Sequence, residues 1–213
     1  MKLYDYFRSS AAYRVRIALN LKGLAPQRAF VHLAKGEQLS GEYLSVNPQG
    51  LVPSLVTDDG DVLSQSLAIV EWLEETHPEP PLLPPDPAGR ARVRALALAV
   101  ACDIHPLNNL RVLNYLSNTL GVTPEQRTGW YRYWIDLGFE ALERRLAGDP
   151  RTGPFCHGAS PTLADVCLVP QVANARRFNV DLSPYPAIVR IDAACNALPA
   201  FADAAPARQP DVE

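Results

Sequence analysis

The apolar side chains Val15, Ala18, Leu19 and Leu21 recur at helical spacing, roughly along one face, and predict a helix over Ser10–Lys22 that Gly23 can end. Lys2–Tyr6 before it and Gln27–His32 after it predict short strands, and Gln38–Val46 a short helix. Ser54–Thr57 and Val62–Leu63 flank Asp58-Asp59-Gly60, whose Asp-Gly step signals a hairpin. Leu67, Val70, Trp72 and Leu73 then mark the apolar members of a helix over Gln65–His77. The order β-α-β-α-β-β-α implies an α/β domain over residues 1–78, with a mixed sheet and helices on its faces.

Pro78, Pro80, Pro81, Pro84, Pro85 and Pro87 interrupt this pattern, six prolines within ten residues. They can continue neither a helix nor a central strand, which predicts an interdomain linker over 79–88. From Gly89 onward the pattern is helical throughout, so 89–213 is expected to form an all-α domain. Its segments are Arg90–Leu120, Pro124–Leu146, Thr162–Phe178 and Pro184–Leu198, with an irregular tail from Ala202. Thr162-Leu163-Ala164-Asp165 has the spacing of a capping box, in which Asp165 reaches back to the cap's N–H. Arg90, Arg92 and Arg94 read as a solvated face, and Trp130, Tyr131, Tyr133 and Trp134 as core or interface packing.

Composition narrows the chemistry. With 213 residues, 47% hydrophobic and 20% charged, the chain can bury a substantial core. A net charge of −3 points to neither a nucleic-acid face nor a membrane-surface helix. No apolar stretch approaches the roughly 20 residues of a membrane span, and Met1-Lys2-Leu3-Tyr4-Asp5 opens no apolar leader, so the cytoplasm is expected. Cys102, Cys156, Cys167 and Cys195 stand singly among apolar neighbours and read as buried, reduced thiols. They share no ligand spacing with His32, His77, His105 or His157, so no metal site is expected.

Three clusters carry candidate chemistry. Arg8-Ser9-Ser10 lies where the first strand hands over to a helix, so backbone N–H groups and the positive helix end lower the pKa of any thiol bound there. Ser10 reads as the N-cap and Ser9, ahead of it, as free to point outward; Arg8 is a surface charge or a carboxylate clamp. In Asn47-Pro48-Gln49-Gly50-Leu51-Val52-Pro53, the Val52–Pro53 bond is a candidate cis peptide that would offer the Val52 backbone to a strand-like ligand. Gln65-Ser66 opens a helix whose N–H groups, with the Ser66 hydroxyl, suit a carboxylate.

The three clusters in this order, with the string Ser9-Ser10-Ala11-Ala12-Tyr13-Arg14-Val15-Arg16-Ile17-Ala18-Leu19 and Gln65-Ser66-Leu67-Ala68-Ile69, resemble the zeta class of the cytosolic glutathione transferases. The resemblance covers essentially the whole chain and implies a thioredoxin-like glutathione-binding domain followed by an all-helical substrate domain. It implies glutathione as cofactor and a homodimer. Carried over by residue, Ser9 and Ser10 would stabilise the thiolate, Val52 before cis-Pro53 would pair with the cysteinyl backbone, and Gln65 and Ser66 would hold the γ-glutamyl carboxylate. Gln38 would approach the glycyl end. In the proline-interrupted stretch Cys102–Arg111, His105 and Asn109 would face glutathione, while Arg8, Arg111 and Arg176 would grip the substrate's carboxylates. The class signature often reads Ser-Ser-Cys; Ala11 stands at the third position here, so the only site thiol would be that of glutathione.

The resemblance implies cis–trans isomerisation of a small cis-enediketo acid, maleylacetoacetate or, alternatively, maleylpyruvate. Two rival expectations are a general zeta-type transferase or dehalogenase and a non-catalytic glutathione-binding protein.

Overall fold

In the computed structural model, which describes all residues 1–213, the chain divides into two compact units, Met1–Pro81 with Asn196–Glu213, and Leu82–Cys195. The units depart from the expected ranges at both ends. Residues 196–213 belong with the α/β unit rather than with the helices, and the helical unit starts inside the proline-rich stretch.

The first unit holds β1 (Lys2–Asp5), α1 (Ser10–Leu21), β2 (Gln27–Phe30), α2 (Gly41–Val46), β3 (Ser54–Val56), β4 (Val62–Ser64) and α3 (Ser66–Thr76). Its sheet runs β2-β1-β3-β4, with β1 parallel to β2 and antiparallel to β3, so α1 is the crossover that a parallel pair requires. Leu3 pairs in register with Leu55, and both are fully buried with Val15, Ile17 and Ala18 of α1 and Ile69 and Leu73 of α3. In place of the single helix expected over Gln38–Val46, two 3₁₀ turns, Leu33–Lys35 and Glu37–Leu39, precede a short α2. Gly36 between them takes φ +79°, a left-handed value that stops one turn and starts the next.

The tail forms α9 (Pro199–Ala202) and a 3₁₀ turn at Pro206–Arg208, and it packs on α1. Phe201 is wholly buried there, and Ala204 accepts a hydrogen bond of 2.9 Å from Nε of Arg16.

The second unit holds α4 (Pro87–Leu98), α5 (Leu110–Asn118), α6 (Pro124–Gly148), α7 (Leu163–Arg177) and α8 (Pro186–Asn196). The helix expected over Arg90–Leu120 is broken into four pieces. Pro87 opens α4, where its missing N–H costs nothing, and Asp86 caps it by accepting from Gly89 N–H at 2.7 Å. A π-helical stretch, Ala99–Ile104, and a 3₁₀ turn, His105–Asn108, then lead to α5, because Pro106 cannot serve the α-helical ladder. Arg92 is buried rather than solvated. Its guanidinium binds Asp149, the Cys156 carbonyl and the Thr152 hydroxyl, tying the α6–α7 connection to α4. Asp165, fully buried, completes the expected capping box with Thr162. Tyr131 is buried and stacks on Phe178 with centroids 3.6 Å apart, and burial pushes its hydroxyl up to about 12. Three thiols are buried as expected, whereas Cys102 is exposed.

Candidate active site

The register of the sheet gathers the three N-terminal clusters. Tyr4 pairs with Ser54 and Ser54 with Ser64, so one row of residues closes the same end of β1, β3 and β4. The chain leaves β1 at that end toward Ser9, enters β3 from Val52–Pro53, and leaves β4 directly into Gln65 and Ser66. Beneath them, the side chains of Tyr6, Phe7, Val31, Tyr43 and Val52 form one apolar cluster.

Ser9, not Ser10, is the N-cap of α1: it has φ −69° and ψ 115°, and its Oγ accepts from Ala12 N–H at 3.2 Å. The reading of Ser9 as lying outside the cap is therefore corrected. The correction strengthens its role, because an oxygen that accepts from the helix keeps its own O–H for an outside acceptor. A thiolate at this point also meets the positive end of α1. Ser10 is the first helical residue and is buried. Arg8 is exposed, with its guanidinium 4.8 Å from the Phe7 ring centroid, and makes no ion pair.

The Val52–Pro53 bond is cis, as expected. Val52 precedes the first residue of β3 by two positions, so its peptide groups lie beyond the end of the ladder. Asn47 braces this loop by donating to the Leu51 carbonyl at 2.8 Å and accepting from Gln49 N–H at 3.1 Å. Gly50, at φ +62°, allows a close approach: a Cβ there would stand 3.1 Å from the Gln38 carbonyl. That approach seats the Gln38 turn against the Val52 loop. The Oε1 of Gln38 is buried and has no hydrogen-bond partner.

Gln65 is the N-cap of α3 with φ +68°, a left-handed backbone at a residue that is not glycine. Such strain, on the order of 1–3 kcal/mol, clusters at ligand sites. Its side-chain amide donates to Gln49 Oε1 at 3.0 Å and leaves the helix end uncapped. Ser66 is buried, and its Oγ accepts from Nη1 of Arg14 at 3.2 Å. Sequence reasoning missed three features here: the strained backbone of Gln65, its Gln49 partner, and Arg14 behind Ser66. A buried arginine inside an apolar helical run was the available signal for the last.

The remaining candidates belong to the second unit. His105 opens the 3₁₀ turn after the π-helical stretch. Asn109 caps α5, its Oδ1 accepting from Arg111 N–H at 3.1 Å, and Arg111 is exposed. Arg176, at the end of α7, is half exposed and pairs through Nη2 with buried Asp192 at 2.6 Å. The pair uses one edge of the guanidinium and leaves further donors of its fork to solvent.

The N-terminal residues match the needs of a γ-glutamyl peptide that bears a thiol. There are donors at two helix starts, a strand-like backbone at Val52, and an unpartnered amide oxygen at Gln38. Comparison with known proteins agrees. Residues 8–76 match the glutathione S-transferase N-terminal domain and 135–203 the C-terminal domain. A Ralstonia protein described as maleylpyruvate isomerase is 55% identical, over 99% of both chains. The holo structure of a maleylpyruvate isomerase, a bacterial glutathione transferase of the zeta class, superimposes with a TM-score of 0.98 at 54% identity over the whole of both chains.

The chain belongs to the zeta class of the glutathione S-transferases.

A further structure, maleylacetoacetate isomerase from Methylobacterium extorquens AM1 with bound malonate and glutathione, gives a TM-score of 0.97 at 44% identity over the whole of both chains. Against that family, Ala11 is the departure that matters: no cysteine stands beside Ser9. Cys156 and Cys195 offer no substitute, since burial first, then Asp165, pushes their thiols well above the usual thiol range. No helix is long and apolar enough to cross a membrane.

Proposed function

We propose that this chain is a glutathione-dependent cis–trans isomerase of maleylacetoacetate, with maleylpyruvate as the alternative substrate. The observation that carries the reading is the convergence of the Ser9 cap, the Val52–Pro53 turn and the Gln65–Ser66 helix start at one end of the sheet. The maleylpyruvate alternative is favoured by the relatives of that name, at 55% and 54% identity. Both substrates carry a cis double bond conjugated to a carbonyl, together with carboxylates.

Bound glutathione supplies a thiolate that adds reversibly to that double bond, allowing rotation before the thiolate leaves. The chain's part is to make and aim the thiolate. Ser9 donates its O–H to sulfur, and the first turn of α1 adds its N–H groups and positive end. Val52 pairs with the cysteinyl backbone, Gln65 and Ser66 hold the γ-glutamyl carboxylate, and Gln38 takes the glycyl end. His105 and Asn109 are further candidates for glutathione binding on the second unit. Arg8, Arg111 and Arg176 are the cationic candidates for the substrate's carboxylates, since a guanidinium fork suits a carboxylate better than a lysine. The chain works in the cytoplasm as a homodimer.

Steady-state rates for both substrates at saturating glutathione test the assignment. We expect turnover of both, with maleylacetoacetate preferred by its kcat/KM. Turnover of α-halo acids alone would replace the isomerase reading with the dehalogenase one, and glutathione binding without turnover would leave a binding protein.

A further inference from the structure

The loop that delivers Ser9 is held from two sides, and one side comes from a segment some 200 residues away. Tyr6 N–H donates to Asp5 Oδ1 at 2.7 Å, and the Tyr6 carbonyl accepts from Ser9 N–H at 3.0 Å and from Nη1 of Arg16 at 3.4 Å. The Phe7 carbonyl accepts from Nη2 of Arg16 at 3.1 Å. Phe7 N–H, two residues before the Ser9 cap, donates to Oδ2 of Asp211 at 2.9 Å across a separation of 204 residues. The backbone groups of Tyr6 and Phe7 are therefore all engaged, and Asp211 alone takes the Phe7 N–H.

The segment bearing Asp211 is itself fastened. Gln209, 4% exposed, donates to the carbonyls of Asp203 and Ala205 at 2.8 and 2.9 Å and accepts from Nη2 of Arg28 at 3.0 Å. Arg28 and Arg16 both pair with Asp5, which is fully buried at the end of β1, and Arg16 also reaches the Ala204 carbonyl. One network thus runs from the tail, through two arginines and a carboxylate, to the peptide units that enter Ser9.

We propose that Asp211 is a positioning residue for the thiolate site, fixing the Phe7 peptide and, through it, the direction of the Ser9 hydroxyl. The proposal rests on the thiolate role of Ser9 given above. Asp211 touches neither glutathione nor substrate in this reading. The residue is partly exposed, its Oδ1 is buried without a partner, and the one hydrogen bond its carboxylate makes goes to the loop amide through Oδ2. Hydrogen bonds to a sulfur anion are directional, so a loop that swings the Ser9 O–H off line loses stabilisation of the thiolate before it loses the fold.

The test compares Asp211→Ala, which removes the acceptor, with Asp211→Asn, which keeps an amide oxygen for Phe7 N–H. Two measurements are read: the ultraviolet pH titration of the glutathione thiolate bound to the protein, and amide hydrogen exchange of residues 6–12 without glutathione. Asp211→Ala is expected to raise the bound thiol's pKa by about 0.5–1, a roughly three- to tenfold loss of thiolate preference, and to speed exchange at Phe7 and Ser9. Asp211→Asn is expected to restore most of both. The melting temperature serves as control: a merely structural anchor would lower it and leave the thiol pKa unmoved. Wild-type thiol pKa in Asp211→Ala, or equal loss in both variants, would overturn the proposal. Ser9→Ala is titrated alongside; if it too leaves the pKa unmoved, the thiolate reading of Ser9 fails rather than the role of Asp211.

Discussion

Ser9→Ala is expected to lower kcat by about a hundredfold and to shift the acidic limb of the pH–rate profile upward, because a hydrogen bond to an anion that forms for catalysis is worth about 1.5–3 kcal/mol. The direction follows from the sign of the effect. A donor to sulfur favours the anion and depresses the thiol pKa, so removing it raises that pKa and leaves less thiolate at neutral pH. Raising the pH should recover part of the rate. The structure adds a complication that the sequence did not show. Ser9 also caps α1, and losing a cap to alanine costs about 0.5–2 kcal/mol of stability, whereas a glycine cap costs only a few tenths. Ser9→Gly therefore separates the two roles. It should lose as much turnover as Ser9→Ala while keeping a melting temperature close to the parent's; recovery of turnover in Ser9→Gly would assign the defect to the helix and not to the hydroxyl.

The largest expected loss of stability comes from Asp165→Ala. This carboxylate accepts from Cys156 N–H at 2.7 Å, and from both the N–H and the hydroxyl of Thr162 at 2.8 Å, in a place with no access to water. Burial, the largest influence on it, pushes its pKa up while these donors pull it down, and the net direction is upward. Removing the side chain deletes the capping box and orphans buried donors, each worth about 1–3 kcal/mol, so the total cost should be roughly 3–5 kcal/mol. For a chain of this length that is a fall in melting temperature on the order of 10 °C, readable by calorimetry or circular dichroism. A fall of only a degree or two would show that the box contributes little.

The residues legible in the sequence were those whose neighbours carry the signal. The helical period of Val15, Ala18 and Leu19, the Asp-Gly step and the Thr162–Asp165 spacing are local, and the structure contains the helix, hairpin and box they predict. Ser9, Val52, Gln65 and Ser66 were singled out as candidates because each sits at the boundary of such an element. What stayed hidden depends on long-range pairing. Arg92 lies between two other arginines and looks solvated, yet it is buried because Asp149 and Thr152 come to it from more than fifty residues away. The tail looked irregular and helical-domain bound, and its packing on α1 rests on carbonyls of Phe201 and Ala204, which no side-chain pattern records. Pro106 announced a break, but not that the break would be π-helical before it and 3₁₀ after it. The strained φ of Gln65 has no signature in residue type at all.

The central claim is that the only thiol at work is the one glutathione brings, since Ala11 occupies the position where the class often has cysteine. The direct measurement is the steady-state isomerisation rate with glutathione, with S-methylglutathione, and with neither. S-methylglutathione offers the same carboxylates and backbone but has no ionisable sulfur. Turnover with glutathione alone, and competitive inhibition by the methylated peptide, is the expected result. Comparable turnover with S-methylglutathione, or with no peptide, would contradict it.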